Sequence, residues 1–252
     1  MVPQVLPVFR RFVNGITDAA RPDSRKQIRS TLARFLIILK NAQKRETEAS
    51  LPCEKNTILA CTILVTTAHR MFEASDNVLL QCITEISDSL DNRMTTKMAA
   101  GCTRSLLLMP GRGQSQTTIT TSLLPRLIAF LSEPSDVEGL DESRSMIAQA
   151  LVTFASTATT PKQQPGIFAL VIVTLLARAS AEGEATHRET AARLLELAGN
   201  NAVAFRAVVT RLDTEQKGFM ERVIRDGQGP QRISRVGDAE EKEPTIALRM
   251  DF

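Results

Sequence analysis

The chain has 252 residues, of which 43% are hydrophobic and 23% charged, and its net charge is +3. These values fit a soluble globular protein of one or two domains and do not demand an anionic partner. There is no Trp and no Tyr, and Phe numbers only 10. The core must therefore be aliphatic, and a nucleic-acid surface built on base stacking is poorly supplied.

The apolar residues recur at helical spacing nearly throughout, and no segment alternates as a strand does. The periodicity predicts helices at 4–20, 25–46, 54–72, 76–91, 94–109, 116–132, 142–158, 164–180, 185–199, 201–211 and 214–226. The first contains "VLPVFRRFV" (5–13), with Pro7 inside an apolar run. In the second, Ile28, Leu32, Phe35, Leu36 and Leu39 make one stripe, and Arg25, Lys26, Arg29, Lys40 and Lys44 fall about the neighbouring face. Residues 1–45 as a whole are basic, and Arg25 and Arg29 are candidate contacts for an acidic partner or an anionic membrane surface. The competing reading is a solvated face beside an apolar stripe.

From 79 onward a first helix with a dense apolar face alternates with a second helix. The first helices are "LLQCITEISDSL" (79–90), "LLPRLIAFLSEP" (123–134) and "FALVIVTLLARAS" (168–180). Their partners are 95–109, 142–155 and 186–198, each with a basic residue near the start, small residues in the middle and leucines at the end. On this pattern 5–13 pairs with 24–39, Pro7 matches Pro125, and the helix at 54–72 stands outside the pairing. Arg25, Lys97, Arg144 and Arg188 are placed to bond the carbonyl end of the preceding helix. A proline inside a helix costs ~3 kcal/mol unless its surroundings compensate. In an outer helix that must curve, the bend is part of the packing. The unit of 40 to 50 residues has the length of HEAT-type helix pairs. The fold class is thus all-α, a HEAT-type α-solenoid of antiparallel helix pairs over 1–226. The tail 227–252 is polar and expected to be flexible. It ends in "TIALRMDF", where Ile246, Leu248 and Met250 alternate with polar or small residues and Phe252 closes the run. That octamer could add a strand or enter a groove, and Ile246, Leu248, Met250 and Phe252 are candidate partner-binding residues.

The sequence carries no recognisable catalytic or metal-binding motif. Cys53, Cys61, Cys82 and Cys102 form no C-x-x-C pair and their spacings fit zinc badly, so they read as reduced thiols, buried except for Cys53. His69 and His187 lack ligand-spaced neighbours, and His187 with Glu184 and Glu189 reads as solvated helix surface. Gly111, Arg112 and Gly113 lack the ending of a phosphate loop and follow no strand. Asp88/Asp91 and Glu182/Glu184 read as solubilising charges. No signal peptide is visible, and the apolar run 167–177 is shorter than the ~20 residues of a spanning helix. The reading is non-enzymatic, with no cofactor, no metal and no nucleic acid.

Several stretches together carry a resemblance: "EKNTILACTILVTTA" (54–68), "SLLPRLIAFL" (122–131), "ALVIVTLLARAS" (169–180), "HRETAARLLELA" (187–198), "AFRAVVTRLDTEQKGFMERVIR" (204–225) and "PTIALRMDF" (244–252). They resemble the C-terminal region of a large HEAT-repeat family, fungal-type members above all, whose proteins are accessory to the clathrin adaptor of the trans-Golgi network and endosomes. The resemblance implies a non-catalytic scaffold in vesicle traffic. Its partners would be clathrin adaptor subunits or their accessory proteins, and a homodimer is compatible with it. The protein would be cytoplasmic, peripheral to trans-Golgi and endosomal membranes through those partners. Members of the family are very long, so this chain would correspond to a C-terminal piece. The concave groove of second helices, or the terminal octamer, would be the acting surface. The alternative is a HEAT-type transport receptor or phosphatase-regulatory scaffold unrelated to clathrin.

Overall fold

In a computed structural model the described residues are 2–18, 23–45, 47–110, 114–133, 139–157 and 164–228. The loop 111–113, Pro134, Pro161 and the terminal octamer lie outside them. Among the described residues eleven α-helices follow one another: α1 (Val2–Asp18), α2 (Ser24–Arg45), α3 (Leu51–Ala68), α4 (Asn77–Asp88), α5 (Thr96–Leu107), α6 (Gln114–Ser132), α7 (Asp141–Thr157), α8 (Gln164–Glu182), α9 (Glu184–Asn200), α10 (Ala202–Val209) and α11 (Thr214–Gln228). One 3₁₀ turn, His69–Met71, follows α3. The protein is an all-α repeat solenoid.

Two layers carry the array. Helices α1, α3, α5, α7, α9 and α11 pack in succession in one, and α2, α4, α6, α8 and α10 in the other. This corrects the pairing drawn from the sequence. Helix α2 belongs with α4, α6 and α8, and α3 is the second helix of the pair that α2 opens. The helix that seemed irregular restores the alternation, and α1 is the odd half-repeat. Pro7 in α1 and Pro125 in α6 therefore stand in different layers and are not equivalent. The shared apolar-proline text misled because both layers need one dense apolar face. Helix α6 runs on through Pro125, whose ring is exposed. The carbonyl of Thr121, which loses its donor to the proline, lies on the same solvent side.

The core is aliphatic as the composition required. Ile28, Leu32, Leu39, Ile58, Leu64, Leu79, Ile83, Ile86, Leu106 and Leu107 are fully buried, with Phe168 the one aromatic among the largest. Buried threonines fit this core because each hydroxyl turns back on its own helix: Thr62 donates to the carbonyl of Ile58 at 2.9 Å, Thr103 to that of Ala99 at 2.9 Å and Thr174 to that of Leu170 at 2.8 Å. Ala99, Ala100, Ala148, Ala150 and Ala191 are buried, whereas Ala192 is exposed and Gly101 has open space around it. Helix α8 is long and apolar enough to cross a membrane by length and composition. It is a core helix here, packed against α6, α7, α9 and α10 and carrying the buried Arg178.

Candidate protein-docking surface

The side chains that join one repeat to the next lie about one repeat apart in sequence. Arg25 Nη1 meets Glu73 Oε1 at 3.1 Å, Arg29 Nε meets Asp76 Oδ2 at 2.9 Å and Lys40 Nζ meets Glu85 Oε1 at 3.1 Å. Further on, Lys97 Nζ reaches Glu142 Oε2 at 2.7 Å, and Gln149 Nε2 donates to Glu196 Oε1 at 3.0 Å. Asp76 works twice, since its Oδ1 also caps α4 by accepting from the backbone N–H of Val78 at 2.9 Å. Arg25 and Arg29, the basic candidates for an acidic partner, thus each face a carboxylate of their own chain. Of the four basic residues expected on a preceding carbonyl end, Arg144 makes that bond, donating to the carbonyl of Glu133. Arg25 and Lys97 reach forward to the next repeat instead, and among the described residues nothing comparable holds Arg188.

The ionic centre of the array is buried. Arg144 of α7 and Arg178 of α8 both have side chains 3% exposed, and both bind Glu182. Arg178 Nε donates to Glu182 Oε2 at 3.0 Å, and its Nη2 lies 3.3 Å from Glu189 Oε2 on α9. The guanidinium of Arg144 also lies over the ring of Phe130, 5.7 Å from its centroid. This corrects the reading of Glu182 as a solubilising charge: together with Glu189 it balances two buried cations, the condition under which a buried charge is tolerated. Asp88 and Asp91 likewise converge on Arg126 of α6. Burial raises the Asp88 carboxyl above its ordinary range, with Arg126 opposing.

His187 is buried rather than solvated. Its Nδ1 lies 3.0 Å from Asp226 Oδ2 on α11, and its ring meets that of Phe219 edge to face, 5.9 Å between centroids. The sequence missed this because both partners come from a helix 30 residues on. His69 is buried too, its Nδ1 beside the carbonyl of Thr66 at 3.2 Å, while its own carbonyl accepts from Ser115 at 2.7 Å. Cys61, Cys82 and Cys102 are buried free thiols and Cys53 is exposed. A side-chain hydrogen bond with Cys61 and burial push the Cys82 thiol well up, and burial takes Cys102 to about 11. Among the described residues no group of three or more His, Cys, Asp or Glu gathers as a metal site would require.

What the described surface does offer is a face short of charge. The exposed positions of α4, α6 and α8 include Gln81, Thr84, Thr121, Pro125, Leu170, Val173 and Ala177, and Asp88 is the one charged residue among them. At one end of that layer α2 is the opposite, exposing Lys26, Arg34, Lys44 and Arg45 beside Ile37 and Ile38. Between α8 and α11 opens a groove of about 510 Å³. An all-helical repeat array with a neutral, partly apolar flank defines a helical-repeat scaffold, a class that is generally non-catalytic and works by protein–protein contact.

Residues 75–237 match the family model of LAA1-like C-terminal TPR repeats, more than half of the chain, and the protein belongs to that family. No curated protein and no solved structure matches it.

Proposed function

We propose that this chain is a non-catalytic scaffold of clathrin-adaptor traffic between the trans-Golgi network and endosomes, holding adaptor subunits or their accessory proteins. Membership of the LAA1-like family carries the reading. The helix pairs are of HEAT type, which agrees with bonds between repeats at sequence separations of 45 to 48 in the N-terminal half. The docking face is the flank of α4, α6 and α8, because interface cores are depleted of charge and this flank is nearly free of it. The protein reaches membranes from the cytoplasm through its partners, and Arg25 and Arg29, already paired within the chain, orient repeats rather than recruit.

The test is affinity capture of the full chain from a cell extract, beside a variant carrying Thr121→Glu and Val173→Glu. Adaptor subunits recovered with the wild type and lost with the variant are the expected result. Recovery of phosphatase catalytic subunits or transport cargo in their place would overturn it.

A further inference from the structure

The groove between α8 and α11 has a cause in the array. Asn201 Nδ2 donates to Gln164 Oε1 at 3.0 Å, so α10 and α8 begin level. Helix α10, at 8 residues, ends after about 12 Å, whereas α8, at 19, runs about 28 Å. Beyond the end of α10, the C-terminal half of α8 lacks a same-layer neighbour on that side, while α6 flanks it on the other. Val173, Leu176 and Ala177 form one wall and Phe219 of α11 the other, with Glu215 and Arg222 on the rim. Neither rim residue takes part in an ion pair among the described residues.

We infer that residues 246–252 of the same chain occupy this groove. Three observations select that occupant. The first is reach: α11, one wall of the groove, ends at Gln228. From there to the groove the path is at most the length of α11, about 22 Å, and the 15 residues 229–243 extend to about 50 Å. A tethered segment of that kind meets its site at an effective concentration in the millimolar range. The second is pattern: Ile246, Leu248, Met250 and Phe252 line one side of an extended chain, which suits a narrow apolar floor. The third is charge order. Along α11 an acid, Glu215, precedes a base, Arg222; along the segment a base, Arg249, precedes an acid, Asp251. Both pairs are satisfied when the segment runs parallel to α11. Docked in this way, the tail covers part of the α8 flank, and a partner that uses that flank has to displace it.

The inference does not rest on the trafficking reading, and its test uses the purified full chain alone. Phe252 is replaced by the photoreactive p-benzoylphenylalanine, and crosslinked peptides are mapped after irradiation at low protein concentration. Crosslinks within one chain to 173–180 or 214–222 are expected. Their yield should fall about tenfold in Ala177→Arg, which sets a charge on the apolar α8 wall. It should fall also in Arg222→Glu and return in Arg222→Glu with Asp251→Arg. Ala177 and Arg222 are exposed, and circular dichroism and Tm check that each variant folds. Crosslinks elsewhere, crosslinks between chains, an unchanged yield in the folded Ala177→Arg protein, or no recovery in the double variant would overturn it.

Discussion

Gly227 and Ala191 meet so closely that a β-carbon at 227 would lie 2.4 Å from that of Ala191 and 2.9 Å from the carbonyl oxygen of His187. The last helix is thus seated on α9 through a backbone contact as well as through His187 and Asp226. In an exposed helix Gly→Ala gains about 1 kcal/mol from propensity. Here the obstruction is α9 backbone, which cannot rotate away, and overpacking of this kind costs about 1–3 kcal/mol. Gly227→Ala is expected to destabilise, lowering Tm by roughly 2–4 °C for each kcal/mol lost. Thermal denaturation and hydrogen exchange of 214–228 check it; a raised Tm would show that α11 is not held at this distance.

Glu182→Ala removes the carboxylate that Arg144 and Arg178 share. Both guanidiniums stay buried, Arg178 keeping Glu189 and Arg144 keeping the carbonyl of Glu133. Breaking a buried pair from one side costs about 3–5 kcal/mol, against about 0–1 for the exposed Arg25–Glu73 pair. Urea denaturation should place Glu182→Ala well below Glu73→Ala in stability. Equal effects would mean that water screens the α7–α8–α9 junction.

The existence and limits of nearly all the helices were readable because each has one apolar stripe and a turn signal at its ends. The layer order was not, since α1 and α2 each imitate the text of the opposite layer. Helix α2, rich in basic residues at its start, looks like a second helix, yet Arg25, Arg29 and Lys40 point those charges at α4. Assigning Glu182 and His187 to solvent failed for a related reason. Arg144 lies 38 residues from Glu182 and Asp226 lies 39 from His187, and polar residues in a repeat array are judged by the neighbouring repeat as well as by their own helix. In the sequence Gly227 is indistinguishable from the start of the polar tail, and only its approach to α9 explains a glycine there. The groove was invisible because it follows from the shortness of α10 rather than from any motif.

Glu54 sits buried in the first turn of α3. Burial raises its carboxyl above the usual carboxylate range, and Lys55 opposes this. Between the ordinary pKa and the raised one the folded chain holds more protons than the unfolded chain, so this group's contribution to stability falls as pH rises through that window. Glu54→Gln removes the buried charge. It should raise Tm at pH 7, and the gain should shrink as pH drops below the ordinary carboxylate value, where Glu54 is neutral in both states. A Tm difference independent of pH, followed from pH 7 down through the carboxylate range, would contradict the desolvation account.

The thiols sort by burial. Cys53 is exposed near the start of α3, while Cys61, Cys82 and Cys102 are at most 3% exposed in the core. Reaction with a disulfide reagent needs a thiolate and access. Burial denies access to the three, and for Cys82 and Cys102 the raised pKa also denies the thiolate at neutral pH. One thiol per chain should react rapidly with Ellman's reagent under native conditions, and Cys53→Ser should abolish that phase. The other three should react only at the rate at which the repeats open, rising together in urea at the concentration where circular dichroism is lost. A second fast thiol in the native protein would mean that the α3–α4–α5 core is open at the site of that cysteine.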